Sequence, residues 1–358
     1  MRTIIFSLFI SLALNSCQPK HQSRTAPWSV EQTDQWRQQW GWLRGCNFLP
    51  STAINTLEMW QAETFDPVTI DRELGWASDI GMNCMRVFLH HVAWEVDREG
   101  LKKRMGQYLD IADKHGISTS FVFFCDCFNS TYSAGKQPEP KPGVHNSGWV
   151  KDPGDLLFEK PELINVLETY VKDVLTTFKY DQRIALWDLY NEPGNSGYGG
   201  KSLNLVQKSF EWAWAVNPSQ PLTAGVWNGW TDELRELNKF MLGNSDIISY
   251  HSYADLASQK IAVDTLKRYR RPILCTEYMA RHYNSTFQSI MPMLKRENIG
   301  AFNWGLVEGK TNTIFSGLPD EPLNELSEPL LWLHDIFHKD GTPFSQEEIN
   351  LIKSLCGK

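Results

Sequence analysis

WDLYNEP (Trp187–Pro193) and PILCTEY (Pro272–Tyr278) are two runs of strand-forming residues, each delivering a glutamate at its end: Glu192 and Glu277. The interval between them has room for two strand-helix units. In a closed barrel of parallel strands, such spacing carries both carboxylates to the same rim. Working outward, eight apolar runs read as strands: 42–48, 83–89, 118–124, 184–190, 221–227, 246–252, 272–278 and 300–306. A first helix is expected from Trp28 to Gln39. Amphipathic stretches near 66–80, 98–115, 161–179, 203–216, 231–242, 255–269 and 285–297 read as helices between the strands, with a last one near 326–337. In the stretch 98–115, Leu101, Met105, Tyr108, Leu109 and Ala112 recur at the spacing of one buried face. Gly81, Gly116 and Gly300 stand where helices should stop before strands. Strands and helices alternating over eight repeats predict an α/β protein, a single-domain (β/α)8 TIM barrel; a doubly wound open sheet would rarely need so many repeats.

Composition narrows the class. The chain has 358 residues, 42% of them hydrophobic, enough for a large core. A net charge of −7 with no Lys/Arg-rich run argues against nucleic-acid binding. Fifteen tryptophans is a high count; core use explains many of them, but flat aromatic faces also suit the CH-lined faces of sugar rings. Apart from Cys17, the thiols are Cys46, Cys84, Cys125, Cys127, Cys275 and Cys356. Five of these six lie in or at the end of apolar strand-like runs, so free buried thiols are expected rather than disulfides. No spacing suggests a metal site, and no cofactor is expected.

Arg2 precedes an apolar run from Ile4 to Leu14 that is too short to span a bilayer. The run ends in Leu14-Asn15-Ser16-Cys17 and resembles a bacterial lipoprotein signal, although Asn15 is not the usual small residue there. That resemblance implies a signal peptide over 1–16, lipidation of Cys17, a polar tether over 17–28 and a catalytic domain over 29–358. It also implies an exported protein held at the membrane by its lipid alone. Gln18, not aspartate, follows the cysteine, which favours the outer membrane. An ordinary secretory signal cut nearby is the alternative. A monomer is expected.

Two carboxylates facing one cleft are the equipment for breaking a glycosidic bond, one as acid and one as nucleophile. Residues 129–159, rich in Pro, Gly and polar side chains, follow the third strand and so fall on the catalytic face. Within them His145, Asn146 and Trp149 are candidates for sugar contact, against the alternative of a plain surface excursion. The stretch NSGYGGKS (195–202) imitates a phosphate-binding loop but lacks its first glycine, so it reads as a flexible rim after Glu192.

Together these stretches resemble the retaining TIM-barrel glycosidases, most closely glycoside hydrolase family 5. The resemblance rests on Arg86, Asn191-Glu192-Pro193, His251-Ser252-Tyr253, Glu277 and Trp304, each near a separate strand end, and covers roughly residues 40 to 340. It implies a carbohydrate substrate, with Glu192 as acid/base and Glu277 as nucleophile. Arg86 would hold Glu277 ionised and Tyr253 would orient it. Asn191 would bind the sugar 2-hydroxyl, His251 would contribute to binding, and Trp304 would form a wall under the reacting sugar. Glu192 has to be protonated near neutral pH, its pKa raised by the neighbouring carboxylate. Two departures stand out: Cys125-Asp126-Cys127 occupies a place where many members carry histidine, and His90 and His91 follow the second strand. Taken singly, His251 and Trp304 also suit a core and Arg86 an internal ion pair, while Asn47, Asp126 and His90 point neither way. The alternatives to hydrolysis are a carbohydrate-binding barrel without catalysis and a transglycosylase.

Overall fold

The computed structural model describes residues 23–227, 231–318 and 321–358. The signal peptide and Cys17 lie outside the described residues. Of the tether, residues 23–28 are described, and they are docked. Arg24 grips the Asp246 carboxylate with two hydrogen bonds of 2.9 and 2.8 Å, and the Trp28 amide adds a third at 2.6 Å.

Eight parallel strands form the barrel: β1 (Arg44–Asn47), β2 (Cys84–Phe88), β3 (Ser118–Cys125), β4 (Ile184–Asn191), β5 (Leu222–Thr223), β6 (Ile248–His251), β7 (Ile273–Glu277) and β8 (Gly300–Trp304). The ladder runs β5-β4-β3-β2-β1-β8-β7-β6. A single bridge from Val226 to Tyr250 closes the ring, because β5 pairs over only two residues before its chain bends away. Helices cover the outside, so the strands are buried on both faces and read as continuous apolar runs. Register then fixes the rim. Asn47 stands level with Arg86 on one side and Trp304 on the other, Cys125 with Asn191, and His251 with Glu277.

The helices form where local chemistry starts and stops them. Asp66, Asp97 and Asp255 accept amide hydrogens at the heads of Pro67–Asp79, Arg98–Lys114 and Leu256–Leu266, each cap worth about 1 kcal/mol. Gly81 and Gly116 have positive φ and turn the chain from helix to strand, as expected. Gly300 does not: the left-handed residue after Phe287–Arg296 is Asn298. A side chain at position 300 would instead strike Leu274, its Cβ falling 2.3 Å from Cδ2.

The helix expected near 326–337 is absent, and the closing helix is Gln346–Cys356. Backbone amides of Leu333, Ile336 and Phe337 bond to Ile314 and Leu306, which holds this segment across the end of the barrel rather than coiled on itself. Ser345 caps the true helix through the Glu348 amide, a serine-to-glutamate spacing legible in the sequence. All six thiols in the described residues are free, and all but Cys356 are buried. The 129–159 excursion leaves and re-enters beside β3, through bridges of Asn129 with Val150 and Cys125 with Asp152.

Asp335 sits in this closing segment, wholly buried. It accepts a 2.6 Å hydrogen bond from Thr313 at Oδ2, while Oδ1 has no partner. Burial pushes its carboxyl up to about 7. A carboxyl raised in the folded state contributes stability that is full below its unfolded value and is lost as pH rises through about 7. Denaturation between about pH 4 and pH 7 should therefore show a contribution to stability that falls with pH, and Asp335→Asn should flatten part of that slope. A slope unchanged in the variant would remove Asp335 as its source.

Candidate active site

Glu192 follows the last residue of β4 with φ of 47°, a left-handed conformation unusual outside glycine, asparagine and aspartate. Asp126 supports the turn beneath it, accepting the Gly194 amide at 2.8 Å, the Ser202 hydroxyl at 2.5 Å and the Tyr190 hydroxyl at 2.8 Å. The phosphate-loop imitation is thus an anchor for the glutamate, with Ser202 as its tie. Three groups surround the Glu192 carboxylate. His251 Nδ1 lies 2.7 Å from Oε1, and the Asn195 amide and the Cys127 thiol donate to Oε2 at 2.5 and 3.2 Å.

Glu277, at the end of β7, accepts the Tyr253 hydroxyl at 2.7 Å. Arg86 and His251 Nδ1 each stand 3.5 Å from its Oε1. One oxygen of each glutamate and a ring nitrogen of His251 lie within 4.8 Å of one another. Arg86 is fully buried and its closest carboxylate is Asp188, at 2.8 Å, with Asn47 and Asn191 taking two more of its hydrogens. Its role is therefore divided: it neutralises Asp188 first and Glu277 second. Removing one partner of such a buried pair costs about 3–5 kcal/mol.

A cavity of about 310 Å³ opens over the barrel end. Asn191, Glu192, Tyr253, Glu277 and Trp304 all line it, while Arg86 and His251 sit behind this lining. His145 and Asn146 reach it as well. Trp149 does not: it packs edge-on against Trp304 at 5.1 Å and Phe88 at 5.1 Å, bracing the wall. Asn47 holds strands together through Thr276 and Asn303. His90 is a structural residue, capping the short helix His91–Val96 and touching Lys151, with His91 joined to Asp152 beside it.

Burial raises both catalytic candidates, but the hydrogen bonds and charge of His251, with those from Cys127 and Asn195, bring Glu192 below its ordinary range. Glu277 is raised, by burial and by the Glu192 charge, against the pull of His251, Arg86 and Tyr253. This reverses the expectation of a raised Glu192: Glu277 is the raised member of the pair. The physical reason is a count of partners: His251, Asn195 and Cys127 bond the Glu192 carboxylate, whereas among the described residues only Tyr253 donates a hydrogen bond to that of Glu277.

Sequence reading gave no role at this site to Asp188, Cys127, Asn195 or His334. Asp188 is an acid inside an apolar strand, a signal that was present. Cys127 replaces a more usual polar group and was treated only as core. His334, which also lines the cavity, lay in the segment read as helix.

No family model matches the chain, and no curated protein sequence does. Solved structures do match in fold. An exo-β-1,4-mannosidase from an Opitutaceae bacterium superimposes with a TM-score of 0.60 at 16% identity, over 88% of this chain and 59% of that one. A GH5_18 protein from Streptomyces cattleya, solved with Manβ1-4GlcNAc, gives 0.60 at 12% identity, over 88% of this chain and 80% of the other. An endo-1,4-β-D-mannanase from Thermotoga petrophila gives 0.56 at 13%, over 88% and 99%. The chain therefore has the (β/α)8 fold these glycoside hydrolases share, and it spans about 59% of the first of them.

Proposed function

We propose that this protein is a retaining glycosidase that cleaves a β-linked sugar from a polysaccharide or oligosaccharide. The observation that carries the reading is the pair Glu192 and Glu277, with carboxylate oxygens within 4.8 Å across one cavity. Retaining enzymes hold the two groups about 5–5.5 Å apart, whereas inverting ones need about 6.5–9.5 Å for a water between them. In this reading Glu277 attacks the anomeric carbon and Glu192 protonates the leaving oxygen; Glu192 then deprotonates the water that releases the sugar. Tyr253 and Arg86 stabilise the Glu277 carboxylate that must attack. The reaction needs Glu192 protonated and Glu277 ionised when substrate is bound, against the directions in which the empty site shifts them. Sugar hydroxyls that donate to Glu277 favour its ionised form.

The mannoside-acting neighbours support mannose configuration as the first substrate to examine. A sugar-binding barrel without catalysis has no use for two apposed buried carboxylates, and transglycosylation differs only in the acceptor. At the N-terminus, the signal-like run supports lipidation at Cys17 and an envelope location. Aryl β-mannosides, β-glucosides and β-xylosides, followed by proton NMR, test the reading: the first product should be the β-anomer of one sugar. An α-anomer appearing first would exclude the nucleophile assignment.

A further inference from the structure

The two longest connections on the catalytic face, after β3 and after β8, are stitched together. The Asn146 amide donates to Thr311 at 2.8 Å, His145 Nδ1 to the Phe315 carbonyl at 3.1 Å, and the Asn312 side chain to the Lys141 carbonyl at 2.8 Å. Below this seam, Phe88, Trp149 and Trp304 pack edge to face at 5.1–5.7 Å and fill the face over β1 to β3. What space remains under Trp304 is about 20 Å³, room for about one water. No sugar passes that way.

The wall of the cavity at the seam is made of two imidazoles. His145 has both nitrogens occupied, Nδ1 by Phe315 and Nε2 by Asn146, so it presents only its ring. The His334 ring lies tilted 5.4 Å from it and 5.5 Å from that of Tyr253, which holds Glu277. Its Nδ1 donates to the Met279 carbonyl at 2.6 Å. That bond fixes the tautomer, and Nε2 has no hydrogen-bond partner among the described residues. Burial keeps the ring neutral, so Nε2 is an acceptor.

The side next to Glu192 is open: Asn195 and Ser196 line the cavity there, Asn195 half-buried and Ser196 exposed. The leaving oxygen has to adjoin Glu192, so the departing part of the substrate lies on this open side. The reacting sugar lies against the closed one.

We propose, resting on the glycosidase reading, that the enzyme acts only on chain ends: the site admits one sugar beyond the scissile bond, and His334 Nε2 accepts a hydroxyl hydrogen of that terminal, non-reducing residue. The substrate class is a β-linked chain or disaccharide with an unsubstituted non-reducing end.

Manno-, gluco- and xylo-hexaose, each β-1,4-linked and labelled at the reducing end, provide the test. On whichever is cleaved, the first products should be free monosaccharide and the labelled pentamer, followed by progressively shorter labelled chains. Labelled dimer or trimer appearing at the outset would overturn chain-end action while leaving the glycosidase reading intact. Cleavage of none of these, with no turnover of aryl glycosides, would refute the glycosidase reading itself. His334→Ala should lower kcat/KM on the cleaved chain about tenfold, and an unchanged value would remove His334 from recognition. His145→Gly, which opens the wall, should let disaccharide appear among the early products; a pattern still limited to monosaccharide would show that His145 is not the barrier.

Discussion

Glu277→Ala should reduce turnover of an aryl glycoside by about 10⁴-fold, because the residue that forms the covalent bond cannot be replaced by its neighbours. The structure explains why the loss should be so complete. Glu277 is buried at the end of β7, and the remaining carboxylate, Glu192, approaches from the opposite wall. Added azide should restore part of the rate and give an α-glycosyl azide, since the small anion fills the space on the face vacated by the glutamate. A β-azide from this variant would mean that the covalent bond forms elsewhere. In the unmutated protein, a 2-deoxy-2-fluoro glycoside of the cleaved sugar with a good leaving group should accumulate as an ester. The fluorine destabilises the cation-like transition state of both steps, and the leaving group rescues only the first. Digestion and mass spectrometry should place the added mass on the peptide containing Cys275-Thr276-Glu277-Tyr278. Label on another carboxylate would overturn the assignment.

Glu192→Ala should separate substrates by their leaving groups. With an alkyl or sugar leaving group, loss of the proton donor should cost about 10²–10⁴-fold. A dinitrophenyl glycoside departs unassisted, so its first step should be nearly retained and the intermediate should build up, because no base remains to activate water. Azide should then attack the intermediate from the face that Glu192 occupied and yield a β-glycosyl azide. Equal losses on both classes of substrate would mean that Glu192 is not the acid. The Cys127 thiol and the Asn195 amide bond the same oxygen of Glu192. The carboxylate is therefore held for proton transfer by donors that an alanine variant leaves idle.

Much of this arrangement was legible before any coordinates. The barrel follows from apolar runs alternating with amphipathic ones, a local pattern in which each strand declares its own burial. Glu192, Glu277, Asn191, Tyr253 and Trp304 were also readable, because in such a barrel the end of every strand faces the same cavity. The errors have physical causes. The stretch 326–337 has helical apolar spacing, yet its amides are satisfied by Leu306 and Ile314, partners remote in sequence. Trp149 looked like a sugar platform but is spent on bracing Trp304. Arg86 does face Glu277 at 3.5 Å, but the carboxylate nearest to it is Asp188, two strands away in the barrel, which local sequence could not pair with it. Sequence alone determined the fold and the two carboxylates, since these depend on periodicity and on strand ends. Only the tertiary structure decided which of the two carboxyls is lowered and which raised, and which side of the cleft is closed. Both depend on distances between side chains carried by different strands and loops, above all His251 between two acids and His334 against His145.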